Sequence, residues 1–206
     1  MKAESVALVT GSSSGIGFET ALHLARNGYK TYASMRNLEK SEDITQVATR
    51  EKLPVEVVQL DVDEDSSVKQ AVDKIVATED QRIDVLVNNA GYGLFGALED
   101  LSIAEMKAQF ETNFFGVVRV TQQVIPIMRA QHNNSGGIIV NVGSINGRIA
   151  FPVLSAYSAT KFAIEGLSES IAYELEPFGI KMISIEPGPI RSNFMKGVFC
   201  LSKHKI

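Results

Sequence analysis

Tyr157 and Lys161 stand at i and i+4 in the run Ser-Ala-Tyr-Ser-Ala-Thr-Lys, with Ser144 upstream. On a helix those two positions share a face, so a phenol and an ammonium would enter one space. A free phenol, with a pKa of about 10, is a poor base near neutrality, and a nearby ammonium favours its phenolate. A hydroxyl from Ser144 could hydrogen-bond a substrate oxygen. Together the three suit proton transfer to or from an oxygen. The pair alone also suits a half-buried ring beside a solvated lysine, so its surroundings must decide.

The elements that would position such a site begin at the N-terminus. Val6-Ala-Leu-Val-Thr10 runs into Gly11-Ser12-Ser13-Ser14-Gly15-Ile16-Gly17, followed by a helical pattern from Phe18 to Arg26. Strand, glycine-rich turn and helix make the context of a dinucleotide site. Glycines allow positive φ and a close approach to a diphosphate. The following helix offers unpaired N–H groups and the positive end of its dipole, and Ser12, Ser13 and Ser14 add hydroxyl donors. A simple tight turn between strand and helix is the competing reading.

Strand-like runs fall at Ser5–Thr10, Lys30–Met35, Val55–Leu60, Ile83–Val87, Gly137–Val142 and Lys181–Glu186. Helical patterns lie between them, at 16–27, a short one near 38–51, 66–79, a long one near 103–131, and 155–176. Short apolar runs alternating with helices predict a parallel sheet buried on both faces. Right-handed crossovers then give an α/β, Rossmann-type doubly wound fold of about six strands, with ligands at the carboxyl ends of the strands. No linker or repeat divides residues 1–206, so a single domain is expected. The carboxyl ends gather Gly11, Arg36, Asp61 and Val62, Asn88 to Gly91, Ser144, and Pro187 with Gly188.

Composition fits a soluble enzyme and excludes several classes. With 206 residues, 45% of them hydrophobic, one sizeable core is affordable. A net charge of −4 leaves no basic footprint for nucleic acid. No run reaches the length of a membrane span and no leader precedes the first strand, so a cytoplasmic location is expected. Cys200 is the sole cysteine and forms no internal disulfide. His23, His132 and His204 lack the spacing of a metal site, and Glu64-Asp65 and Glu99-Asp100 suit solvated helix starts. No metal is expected.

Taken in order, Thr10-Gly11-x-x-x-Gly15-Ile16-Gly17, Asn88-Asn89-Ala90-Gly91, Asn113, Ser144, Tyr157-x-x-x-Lys161 and Pro187-Gly188 resemble the short-chain dehydrogenase/reductase family, in its oxidoreductase branch. The likeness covers nearly the whole chain. It implies hydride transfer between a nicotinamide and a carbonyl or secondary alcohol. Tyr157 would be the general acid or base, Ser144 the group that polarises the carbonyl, and Lys161 the group that lowers the tyrosine pKa and holds the ribose. Asn113 would extend a proton relay from Lys161. The resemblance also implies cofactor contacts from Gly11 to Gly17, from Asp61 and Val62 to the adenine, and from Asn88, Ala90 and Gly91 along the adenosine. Pro187, Gly188, Ile190 and Ser192 would lie near the carboxamide. Asn88 has the alternative of joining neighbouring strands, and Asn113 that of satisfying local backbone.

An acid at the end of the second strand would bind the adenosine ribose and repel a 2′-phosphate. Met35 stands there instead, and Arg36 follows, whose forked donors suit a phosphate. NADP(H) is therefore the expected cofactor, with NAD left open by Glu39. The apolar segments 91–98 and 145–154 predict a hydrophobic ketone or a steroid- or lipid-like alcohol, unless they pack the neighbouring helix. Family members pair through two long helices, which correspond to 103–131 and 155–176, so a homodimer is expected. They also continue several dozen residues past the Pro-Gly motif into a substrate lid, whereas this sequence stops soon after Asn193-Phe194, as either a short product or a fragment. That leaves a second expectation, a nucleotide-binding partner of full-length relatives without turnover of its own.

Overall fold

Val6-Ala-Leu-Val9 is apolar at every position, and in the computed structural model all four residues of this first strand, β1, are buried. The structure describes residues 5–131, 136–190, 194 and 199–201. After β1 come α1 (Gly15–Arg26), β2 (Lys30–Met35), α2 (Glu42–Glu51), β3 (Val55–Gln59), α3 (Asp65–Thr78) and β4 (Val85–Asn88). Then follow β5 (Leu94–Gly96), α4 (Ile103–Phe110), α5 (Gly116–Ala130), β6 (Ile138–Val142), α6 (Ser155–Leu175), β7 (Lys181–Ile185) and β8 (Phe199–Leu201).

Six strands form a wholly parallel sheet in the order β3-β2-β1-β4-β6-β7. Successive side chains of a strand point to opposite faces. Ala7 and Val9 therefore join Ala21 and Leu22 of α1 and Ile44 of α2 on one face. Leu8 joins Val72 and Ile75 of α3 and Val120 and Val124 of α5 on the other. The chain winds outward from β1 to β3 and then returns to lay β4 on the opposite side of β1. That reversal opens a crevice at the carboxyl ends of β1 and β4.

A buried polar chain joins the two halves. Asn88 Nδ2 on β4 donates to Thr121 Oγ1 of α5 and to Asn141 Oδ1 of β6, both at 2.9 Å. Asn141 Nδ2 donates to Ser168 Oγ of α6 at 2.8 Å. Partnered in this way, two amides and two hydroxyls sit in the core with the cost of burying them reduced, although Asn88 Oδ1 has no partner among the described residues.

The expected strands and helices recur with ends shifted by a residue or two. The helix expected near 103–131 is instead three pieces. Ser102 and Glu105 form a reciprocal cap that starts α4, and a π-helical turn over Glu111–Phe115 then passes into α5. The run at 38–51 likewise divides into a 3₁₀ turn, Leu38–Ser41, and α2. The small parallel pair of β5 and β8 was not expected, because three-residue strands are too short to show a period.

Candidate active site

The glycine turn is built by contacts from β4. Gly11 has φ 68°, and a Cβ there would lie 2.8 Å from Ala90 Cα. A Cβ on Gly17 would overlap the Asn89 amide and sit 2.5 Å from the Gly11 carbonyl oxygen. Asn89 Nδ2 donates to the carbonyls of Thr10 and Gly11, at 2.9 and 3.1 Å. Thr10 Oγ1 accepts from the amides of Asn89 and Ala90, at 2.9 and 3.0 Å. Asn89 is thus the clamp on this turn. Nothing local in Asn88-Asn89-Ala90-Gly91 distinguishes this clamp from its neighbour Asn88.

The three serines of the turn separate. Ser12 is fully buried and its hydroxyl donates to the Val9 carbonyl at 2.9 Å, so it braces the turn and does not face a ligand. Ser13 is half-buried and Ser14 exposed. Ser14 makes no side-chain cap on α1, and the leading amides of the helix, from Gly15, Ile16 and Gly17, therefore keep their donors for an outside acceptor.

Arg36, Asp61, Val62 and Gly91 border the same crevice. Arg36 is exposed just past β2, and Met35 before it is buried against α1 and α2. Glu39 is tied back by Asn37, whose Nδ2 donates to its carboxylate at 3.2 Å. Asp61 Oδ1 accepts from the Asp63 amide at 3.2 Å. Val62 is buried against Gly116, where a Cβ would come within 2.8 Å of it, and its carbonyl accepts from Arg119 at 2.6 Å. Burial pushes the Asp63 carboxyl above its ordinary value, while a hydrogen bond from Thr112 opposes the rise. The Asn88 amide nitrogen is committed inside the sheet, as its strand-joining alternative requires.

Ser144, Tyr157 and Lys161 converge where β6 meets α6. All three are less than a tenth exposed. Burial raises the Tyr157 phenol above its usual value, and a hydrogen bond with Ser144 partly offsets this. Ser144 Oγ also accepts from the Asn146 amide at 3.1 Å. Lys161 Nζ lies 5.7 Å from the centre of the Tyr157 ring and donates to the Val142 carbonyl at 2.7 Å. Burial lowers its ammonium to about 8, against an upward pull from Glu165. Burial of the ring therefore sets the direction of the Tyr157 shift, with Ser144 opposing it.

Asn113 lies in the π-helical turn and is buried. Its Oδ1 accepts from the Tyr92 amide, and its Nδ2 donates to the Tyr92 carbonyl and to Thr160 Oγ1. With both ends of the amide engaged, its side chain holds the Tyr92 backbone to α6. The Pro187 carbonyl accepts from Ile145, which ties the loop after β7 to the Ser144 loop. Gly188 and Ile190 are exposed beyond it, and Ser192 lies outside the described residues. Phe194 leans on Tyr157, with ring centres 5.7 Å apart. Of the apolar segments, Leu94 packs with Leu101 and Ala156, while Ile149, Phe151 and Val153 stay exposed beside the site. Val153 holds φ 57°, a conformation β-branched residues seldom adopt.

A glycine turn aimed at a parallel-sheet crevice, with a Ser/Tyr/Lys cluster at the same rim, defines the class of nicotinamide-dependent oxidoreductases. A model of the short chain dehydrogenase family matches residues 5–199, and the chain belongs to that family of NAD(P)-dependent enzymes. It is 41% identical over 194 residues to the probable short-chain type dehydrogenase/reductase VdlC of Helicobacter pylori, covering 94% of this chain and 68% of that protein. It is also 41% identical over 189 residues to the 3-ketodihydrosphingosine reductase of Bacteroides thetaiotaomicron, covering 92% and 65%. The structure of ElxO with NADP bound superposes with a TM-score of 0.86 at 32% identity, covering 94% of this chain and 77% of that one. No helix among the described residues is long and apolar enough to cross a membrane.

Proposed function

We propose that this chain is an NADP(H)-dependent carbonyl reductase or alcohol dehydrogenase that acts on an apolar substrate, with Tyr157 as proton donor and acceptor. The observation that carries this reading is the convergence of Ser144, Tyr157 and Lys161 beside the β1–β4 crevice. The bound nicotinamide would supply or accept the hydride. In reduction the Ser144 hydroxyl orients the carbonyl oxygen, and Tyr157 Oη gives that oxygen its proton as charge develops. A phenol raised by burial is protonated at neutral pH, which suits it to this direction. Lys161 stabilises the phenolate left behind and holds ribose hydroxyls. In oxidation Tyr157 takes the proton from the alcohol.

The residues present fit the cofactor. Gly11 and Gly17 leave room where a Cβ would collide, and α1 presents uncapped amides for a diphosphate. Ser13 and Ser14 add donors there. Asp61, Val62, Ala90 and Gly91 would border the adenosine, while Pro187, Gly188, Ile190 and Ser192 would border the carboxamide. Arg36 would meet a 2′-phosphate, and a relative with NADP bound supports that choice. Arg36→Ala is expected to raise the Kd for NADPH about tenfold or more, the size of a lost charge-assisted hydrogen bond, and to leave that for NADH unchanged. Equal effects on both cofactors, read by fluorescence titration, would remove Arg36 from the 2′ site.

The exposed side chains of Ile149, Phe151 and Val153 favour a hydrophobic ketone or alcohol. The name of the 3-ketodihydrosphingosine reductase among the relatives agrees with this. The deciding experiment is NADPH titration followed by turnover on a panel of aliphatic and steroid ketones, with Tyr157→Phe in parallel. NADPH binding without turnover of any ketone would leave only a nucleotide-binding role. We also propose a homodimer through α5 and α6, supported by exposed Phe115 in the π-helical turn that leads into α5 and by exposed Phe162 and Tyr173 on α6. Sedimentation velocity is expected to return twice the chain mass, and Phe162→Asp to return the monomer. A monomeric wild-type protein would rule that pairing out.

A further inference from the structure

Glu165 is a carboxylate that the mechanism above does not use, and it is only 8% exposed. It stands one helical turn beyond Lys161, so Tyr157, Lys161 and Glu165 form an i, i+4, i+8 column on the buried side of α6. Ser184 of β7 lies 2.9 and 2.8 Å from its two oxygens. The backbone of the Ser144 loop rests on its side chain. A Cβ on Gly143 would overlap Glu165 Oε1, and one on Gly147 would lie 3.0 Å from Glu165 Cγ. Outside this packing, Arg148 Nη2 is 3.6 Å from Glu165 and 2.8 Å from Glu186.

A buried carboxylate is costly without compensating charge or hydrogen bonds. Here Ser184 supplies a hydrogen bond, and Arg148, 3.6 Å away with 60% of its side chain exposed, is a largely solvated cation. The other cation that feels its charge is Lys161, buried one helical turn away, whose ammonium donates to the Val142 carbonyl at 2.7 Å. We infer that Glu165 is a positioning residue: its carboxylate keeps the Lys161 ammonium charged, and its side chain props the loop that presents Ser144. This rests on the proposed roles of Tyr157 and Lys161 and adds to them a fixed counter-charge one turn further along the helix.

The charged groups facing this cluster are Lys161 and Glu169 from α6, Arg148 from the loop after β6, and Glu186 from the end of β7. Lys161 titrates near 8 with Glu165 pulling it upward. Without that pull, Lys161 must lose its proton at lower pH. The charged lysine is the form that holds ribose and stabilises phenolate. Cofactor affinity and turnover should therefore fall away earlier as pH rises.

The test measures the Kd for NADPH, and kcat/KM on the best ketone of the panel, from neutral to alkaline pH. Glu165→Gln keeps the shape and one acceptor for Ser184 but removes the charge. Its alkaline limb is expected about one pH unit below the wild type. Ser184→Ala removes a hydrogen bond and keeps the charge, so its limb should not move. Glu165→Asp keeps the charge but withdraws the prop from Gly143 and Gly147. It should lower kcat about tenfold, a cost of the kind that follows a displaced catalytic group, with the limb in place. A folded Glu165→Gln protein with the wild-type limb overturns the inference. If that variant fails to fold, an unchanged kcat in Glu165→Asp overturns it instead. Wild-type turnover in Tyr157→Phe would end the proton-transfer reading itself, whereas a dead Tyr157→Phe with an unmoved Glu165→Gln limb sinks only Glu165.

Discussion

Tyr157→Phe is expected to lower kcat for ketone reduction by about 10²–10⁴-fold, the range typical of a positioned general acid, while NADPH binds almost as before. The substitution removes one oxygen and its proton and leaves the ring. That ring is buried and lies tilted against Phe194, so its packing should survive with little change in stability. Losing the hydroxyl also frees Ser144 of a partner, but Ser144 keeps the Asn146 amide. The measurement is kcat and KM with saturating NADPH, beside a thermal melt. A fall in kcat with an unchanged melt assigns the proton to Tyr157. Near-normal kcat would mean that another donor supplies it, and the proposed chemistry would have to be abandoned.

The second large effect belongs to Gly17→Ala. The added carbon has no free volume, because it would overlap Asn89 and press on the Gly11 carbonyl oxygen. Neither neighbour is a flexible tip. Asn89 is held by both carbonyls it donates to, and Gly11 is backbone in a left-handed conformation. Relief must come from moving the turn, at a cost of about 1–3 kcal/mol. If the turn is what receives the diphosphate, the same movement should weaken NADPH binding about ten- to a hundredfold. Gly166→Ala provides the contrast. It lies within α6 with nothing within 4 Å of its would-be Cβ, so it should raise stability slightly and leave binding alone. Full NADPH affinity in a folded Gly17→Ala protein would place the diphosphate elsewhere.

Much of the site was legible because its signals are local. A glycine turn between an apolar strand and a helix, or a phenol and an amine at i and i+4, states its geometry within a few residues. Side-chain direction in the loops was not legible. Ser12, Ser13 and Ser14 look alike in sequence, yet Ser12 turns inward to the Val9 carbonyl. Asn88 and Asn89 are adjacent and identical, yet one bridges β4 to β6 and the other clamps the glycine turn. Which does which depends on strand pleat and on partners dozens of residues away. Asn113 likewise gives no sequence sign that its amide binds both the Tyr92 backbone and Thr160.

The amino-acid order alone determined the alternation of strands and helices, the parallel sheet that follows from it, and the rim at which candidate ligands collect. Those consequences need only periodicity, turn chemistry and the handedness of the chain. Tertiary structure alone decided how far water is excluded from each ionisable group. Burial, which no residue carries in its own identity, raises Tyr157, lowers Lys161 to about 8, and sets Glu165 beneath the Ser144 loop. Charge stabilisation in a protein depends on the surrounding dielectric and on partners brought together by folding, which is why the spacing brought the phenol and the amine together while only the packed site set the direction in which each is shifted.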